Sequence, residues 1–173
     1  MSENGGGGMT THSERLAGLG LTLPPVAPPV AAYIPAVRTG NYIYTSGQLP
    51  FVDGKLQAVG KLGASLTAEE GAALARIAAL NALAAAAEVA GSLDAIARIV
   101  KVTCFVASAP AFTEQAKVAN GASEFFIEVL GHAGRHARSA VGMAVLPLDS
   151  PVEVEVIAEV AVAGNAVPAG ESS

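Results

Sequence analysis

From Val152 to Val160 the chain reads VEVEVIAEV, and this alternation constrains the fold more than any other stretch. Successive side chains of a strand point to opposite faces, so Val152, Val154 and Val156 share one face and Glu153, Glu155, Ile157 and Glu159 the other. Such a strand needs a packed layer on its valine side and water or a partner surface on its acidic side. Upstream, Ser139 to Leu146 reads as a second strand, entered through the basic cluster Arg135, His136 and Arg138. A turn near Leu148-Asp149 would join the two strands as a hairpin. An arginine anchored on a strand presents a planar fork that fits a carboxylate. A small anionic ligand is the expectation.

The rest of the chain supplies what such a sheet requires. Val37-Arg38 and Asn41 to Ser46 read as strands around Thr39-Gly40, and Asp53-Gly54 is a turn signal between Phe51-Val52 and Lys55. Thr67-Ala68-Glu69-Glu70 matches a capping box, and the helix it opens runs to about Ala90, with Gly91 as its C-terminal cap. Leu74, Ile77, Leu80 and Leu83 give that helix an apolar surface. Arg98 to Ser108 alternates as a strand, and a second helix is expected from Pro110 or Ala111 to Leu130, ending at Gly131. The order is strands, helix, strand, helix, two strands. It points to an α+β fold with two helices on one face of a mixed or antiparallel sheet.

Composition bounds the possibilities. The 173 residues, 51% hydrophobic, suffice for one domain, expected over residues 19–163. Residues 1–18, which hold a glycine run and a second possible start at Met9, are expected to be a flexible tail, as are residues 164–173. Pro24, Pro25, Pro28 and Pro29 bias the following arm toward extended backbone. A net charge of −5 and 5% aromatic residues argue against a nucleic-acid surface. Arg76, Asn81 and Glu88 interrupt the alanine-rich helix, so no membrane span is expected, and the cytoplasm is the default location. The single cysteine, Cys104, lies in an apolar run and reads as core. His12, His132 and His136 share no metal-ligand spacing, and the glycine run lacks the lysine of a phosphate loop. No metal or organic cofactor is expected.

Taken together, Tyr33, the run Gly40-Asn41-Tyr42-Ile43-Tyr44-Thr45-Ser46-Gly47-Gln48-Leu49-Pro50, Arg138-Ser139-Ala140-Val141, Leu146-Pro147 and Val152-Glu153-Val154-Glu155 resemble the Rid/YjgF family, also labelled endoribonuclease L-PSP. The resemblance covers roughly residues 19–162. It implies a chorismate-mutase-like fold, a homotrimer with ligand sites in clefts between subunits, and hydrolysis of enamines and imines to keto acids and ammonia. It also implies that Arg138 holds a substrate carboxylate and that Glu153 positions water. Tyr33, Ser46 and Gly47 match further pocket positions, Tyr33 with a catalytic role and the other two as substrate contacts; His136 joins the substrate-binding set.

Departures from the pattern are as specific as the matches. Ile34-Pro35 stands where the deaminase branch has Ser-Gln, Pro110 where it has Asn, and Ala140 where it has Cys. The segment Gly134-Arg135-His136-Ala137-Arg138 instead resembles a longer branch of the family. Each candidate also has a plain structural reading. Arg138 suits an interface ion pair with Glu153 or Glu155, and Tyr33 suits simple ring packing. Ser46-Gly47 suits a strand end, and His136, flanked by arginines, suits a neutral surface position. A protein-protecting or ligand-binding module without turnover, or a ribonuclease, are the alternative functions.

Overall fold

A computed structural model describes residues 10–26 and 32–161 of the chain. The expectations for Met9, for Pro28 and Pro29, and for a C-terminal tail over 164–173 lie outside the described residues.

The main sheet is built from β1 (Ala36–Thr39), β2 (Tyr42–Thr45), β5 (Ile96–Ala107), β6 (Ala137–Met143) and β7 (Val152–Val160), in the order β1-β2-β7-β5-β6. β1 and β2 form a hairpin in which Thr39 pairs with Tyr42, which leaves Gly40 and Asn41 as the turn; Gly40 supplies the positive φ of 57°. A small second hairpin joins β3 (Phe51–Val52) to β4 (Lys55–Leu56), and Asp53-Gly54 turns it with both residues at positive φ. The alternation of β7 does what its sequence demands. Its valines are buried and its glutamates half-buried on the opposite face.

Helices α2 (Ala68–Ala90) and α3 (Gln115–Leu130) cover the valine face. In α2 both halves of the Thr67–Glu70 capping box form, and Gly91 closes the helix in the left-handed conformation. Ala75, Ala78, Ala79, Ala82 and Ala86 are fully buried, so the small side chains themselves form the contact and let the helix lie close on the sheet. α2 is long and apolar enough to cross a membrane by length and composition, yet here it is a core helix. Asn81 donates to the carbonyls of Leu49 and Phe51 and ties α2 to the small hairpin. Phe125 and Phe126 on α3 are fully buried, each worth about 2–3 kcal/mol by removal of its ring from water.

Three boundaries differ from the sequence reading. Residues expected as a flexible tail through 18 include α1 (His12–Gly18), which carries its own capping box between Thr11 and Glu14. Leu16 of α1 is buried, and Ser13 is bonded to Asp94, so local capping and one apolar anchor hold the segment. α3 begins at Gln115 rather than at Pro110, because Phe112 turns back onto Ala109 and packs over Gly63. The last two strands are not a hairpin. β5 lies between them, antiparallel to β7 and parallel to β6, with α3 as the crossover that a parallel pair requires. Residues 144–151 span the end of β5, and the expected turn at Leu148-Asp149 forms within them, both residues at a φ of 57°, without pairing β6 to β7.

Candidate functional site

The candidate residues fall into two groups. The first surrounds Glu153. After β2 the chain stays beside β7, where Gln48 and Val154 exchange backbone hydrogen bonds of 2.8 and 2.9 Å. This lays Gly47 directly against the Glu153 side chain, and a Cβ at position 47 would collide with its carboxylate. Ser46 donates through its backbone N–H to the Pro35 carbonyl at 2.8 Å and through its hydroxyl to the Ile34 carbonyl at 2.7 Å. Its hydroxyl thus staples the arm that carries Tyr33 and Ile34, whose side chains are 54% and 56% exposed. Glu153 itself is half-buried, and burial followed by repulsion from Glu155 raises its pKa above the usual carboxylate range. Among the described residues its carboxylate takes part in no hydrogen bond or salt bridge. A desolvated acid of this kind suits proton transfer at higher pH than an ordinary glutamate does.

The second group surrounds Arg138. Gly134 lies so close to the Phe126 carbonyl that only glycine fits, and this approach packs the turn Gly131–Gly134 onto α3. His136 then meets Phe126 edge to face, with ring centroids 5.9 Å apart. Its Nδ1 lies 2.6 Å from the Gly134 carbonyl and its Nε2 2.9 Å from the Ser123 hydroxyl. A carbonyl can only accept, so Nδ1 carries the proton and the Ser123 O–H donates to Nε2. Burial first, and the Arg138 charge with it, lowers the His136 pKa and favours that neutral ring against the opposing pull of the Gly134 carbonyl. Arg138 Nη1 donates to Asn120 Oδ1 at 2.8 Å and to Ser123 Oγ at 3.1 Å. Asn120 and Ser123 were not identified from sequence. Their spacing of three on a helix, which puts both on one face, was the available signal.

Within one chain the two groups stay apart. Arg138 is in register with Val102 and through it with Val156, while Glu153 is in register with Phe105 and through it with Val141. The offset is three positions along the strands and two strands across, on the order of 10 Å in each direction. The faces also differ, since Arg138 reaches α3 whereas Glu153 is on the face without helices. The ion pair considered between Arg138 and Glu153 or Glu155 is not formed among the described residues; Arg138 is held by neutral partners instead. A shared site therefore needs two chains, for a reason other than the hairpin expected from sequence.

Cys104 is fully buried in register with Ala140, and burial pushes its thiol up to about 12, which removes it as a nucleophile. On the open face Tyr44, Lys101, Thr103, Glu155 and Ile157 line a hollow of about 90 Å³. Among the described residues no three His, Cys, Asp or Glu side chains converge to hold a metal.

Residues 13–160 match the family described as "YjgF/chorismate mutase-like, putative endoribonuclease". Protein TCP17 of Trypanosoma cruzi is 46% identical over 142 residues, which is 82% of this chain and 89% of the relative. The crystal structure of protein Atu1372 from Agrobacterium tumefaciens, of unknown function, superposes with a TM-score of 0.79 at 44% identity, covering 87% of this chain and 92% of the other. Escherichia coli TdcF with bound serine superposes with a TM-score of 0.57 at 28% identity, covering 79% and 94%.

Proposed function

The chain belongs to the Rid/YjgF family, and from that premise we propose that it is a hydrolase for small carboxylate-bearing imines or enamines, acting at a cleft between two subunits of a homotrimer. The separation of Arg138 from Glu153 carries this reading. One chain offers a fixed cation without an acid beside it, and an acid without a cation. Arg138 of one subunit would orient the substrate carboxylate, and Glu153 of the next would hold the water. Glu153 takes a proton as the water oxygen bonds to the C=N carbon. It returns that proton to nitrogen to give a carbinolamine, then relays the hydroxyl's remaining proton to nitrogen as the C–N bond breaks, releasing ammonia and leaving a carbonyl. Gly47 leaves room for the carboxylate, and the exposed Tyr33 ring and the Ser46 staple border it. The serine held by TdcF supports a small ligand that carries a carboxylate.

Subunit mixing tests the proposal. Arg138→Ala and Glu153→Gln chains should each be inactive in ammonia release from a freshly generated 2-enamino acid. Co-assembled at equal ratio, they should recover about a quarter of wild-type activity, because half the subunits supply each intact group and the site draws on two. No recovery in verified mixed oligomers would overturn the two-chain site. A second reading, binding without turnover, is favoured by the apolar residues Ile34, Pro110 and Ala140 at family polar positions. Wild-type protein that binds a 2-oxo acid yet releases ammonia no faster than buffer would establish it.

A further inference from the structure

Resting on the proposed role of Arg138, we infer that Asn120 and Ser123 are positioning residues that select which edge of its guanidinium meets the ligand. A guanidinium carries five N–H donors, two on each Nη and one on Nε. Both Nη1 hydrogens are taken by α3, through Asn120 Oδ1 at 2.8 Å and Ser123 Oγ at 3.1 Å. Nε and Nη2 make no hydrogen bond among the described residues. Their parallel N–H groups form the side-on fork that binds a carboxylate through both oxygens. The Ser123 hydroxyl is itself oriented, because it donates to His136 Nε2 and so turns a lone pair toward Arg138. His136 in turn is fixed by the Gly134 carbonyl and by the Phe126 ring.

The arrangement reaches from the turn after α3, through His136 and Ser123, to the guanidinium. Every partner is neutral, so the full positive charge stays available to a ligand. A carboxylate in place of Asn120 would satisfy the same hydrogen bond and cancel that charge. The spacing of Asn120 and Ser123 on one helix face also holds the guanidinium at two points, which stops rotation about its Nε–Cζ bond.

Two measurements on full-length oligomer decide the inference. Nitrogen-15 NMR of the arginine side chains should resolve separate Nη1 and Nη2 signals for Arg138, assigned by their loss in Arg138→Lys. Those signals should merge in Asn120→Ala/Ser123→Ala as rotation is freed. In the same double variant the dissociation constant for 2-oxobutanoate should rise at least about tenfold, while that for 2-oxobutanamide stays unchanged, and Ser123→Thr alone should bind as wild type does. Signals that stay separate in the double variant, or equal loss of acid and amide binding, would overturn the positioning role. If Arg138→Ala abolishes 2-oxobutanoate binding but the double variant does not weaken it, the anchor stands and positioning fails. If Arg138→Ala binds 2-oxobutanoate normally, the proposed function fails at its anchor, and the NMR signals alone decide whether α3 orients the side chain.

Discussion

The two halves of the candidate site are built on opposite physical plans. Around Arg138 the charge is surrounded by donors and acceptors that hold it in place, from Asn120 and Ser123 to His136 and the Gly134 carbonyl. Around Glu153 there is close packing against Gly47, partial burial and a like charge on Glu155. The first plan fixes a charge without altering it, which suits binding. The second alters the ionisation of a group, which suits proton transfer. The difference teaches that an anchor needs orientation whereas an acid or base needs desolvation, and that one sheet can supply both at separate positions.

Variants can break this contrast at either end. The largest effect is expected for Glu153→Gln, which keeps size but removes the ionisable group: turnover should fall about 10²–10⁴-fold while titration with 2-oxobutanoate gives near wild-type affinity. Comparable loss of affinity would show that Glu153 also binds. Gly47→Ala should lower turnover about 100-fold by displacing the Glu153 side chain, with a melting temperature close to wild type, since a side chain and not backbone must yield. A crystal structure of this variant with Glu153 unmoved would contradict the tight fit.

Gly121→Ala strikes the other half through packing. A Cβ there would collide with the backbone carbonyl of Ala72 on α2, so α3 must shift as a whole. Denaturant unfolding should show a loss of about 1–3 kcal/mol. Carboxylate affinity should fall with it, because α3 carries Asn120 and Ser123, and unchanged affinity in folded protein would uncouple the anchor from the helix position.

The pH response sharpens the contrast further. The folded-state pKa of Glu153 is raised, so the carboxyl stays protonated to higher pH than an ordinary glutamate. If the ionised form is the base, turnover falls as pH drops through that raised value, and the limb lies above the usual carboxylate range. The same shift makes its contribution to stability greatest below the unfolded-state value and lost as pH rises through the folded one. For His136 the folded pKa is lowered, so the neutral ring persists below its ordinary titration range, and its contribution is present at neutral pH and lost as the solution is acidified. A turnover limb that stays in place in Glu153→Gln would assign it to another group. The smallest effect is expected from thiol reagents at pH 8: with its thiol near 12 and fully buried, Cys104 should react only after unfolding, with no change in activity before that.

Much of this was legible in the chain. Alternation over Val152–Val160, the Thr67–Glu70 capping box, Gly91, Gly131 and Asp53-Gly54 are local signals, each set by backbone geometry a few residues long, and each is realised. The resemblance to the Rid/YjgF family also pointed to Arg138 and Glu153. Strand neighbours were less accessible: β6 and β7 are adjacent in sequence yet separated by β5, because pairing across a sheet is decided by which apolar faces pack and not by chain order. Asn120 and Ser123 were missed for a related reason. A polar residue on a helix looks like solvated surface until the element beside it is known.

Sequence by itself determined the strands and helices from Val37 to Val160, the buried valine face and the family, since these rest on periodicity and on motifs whose residues lie close along the chain. Tertiary structure alone decided that Arg138 turns toward α3 while Glu153 lies on the open face, that Gly47 abuts the carboxylate, and that the His136 ring is held between the Gly134 carbonyl and the Ser123 hydroxyl. Those properties depend on contacts between residues distant in the chain, and burial and hydrogen bonding take their values only when the layers close.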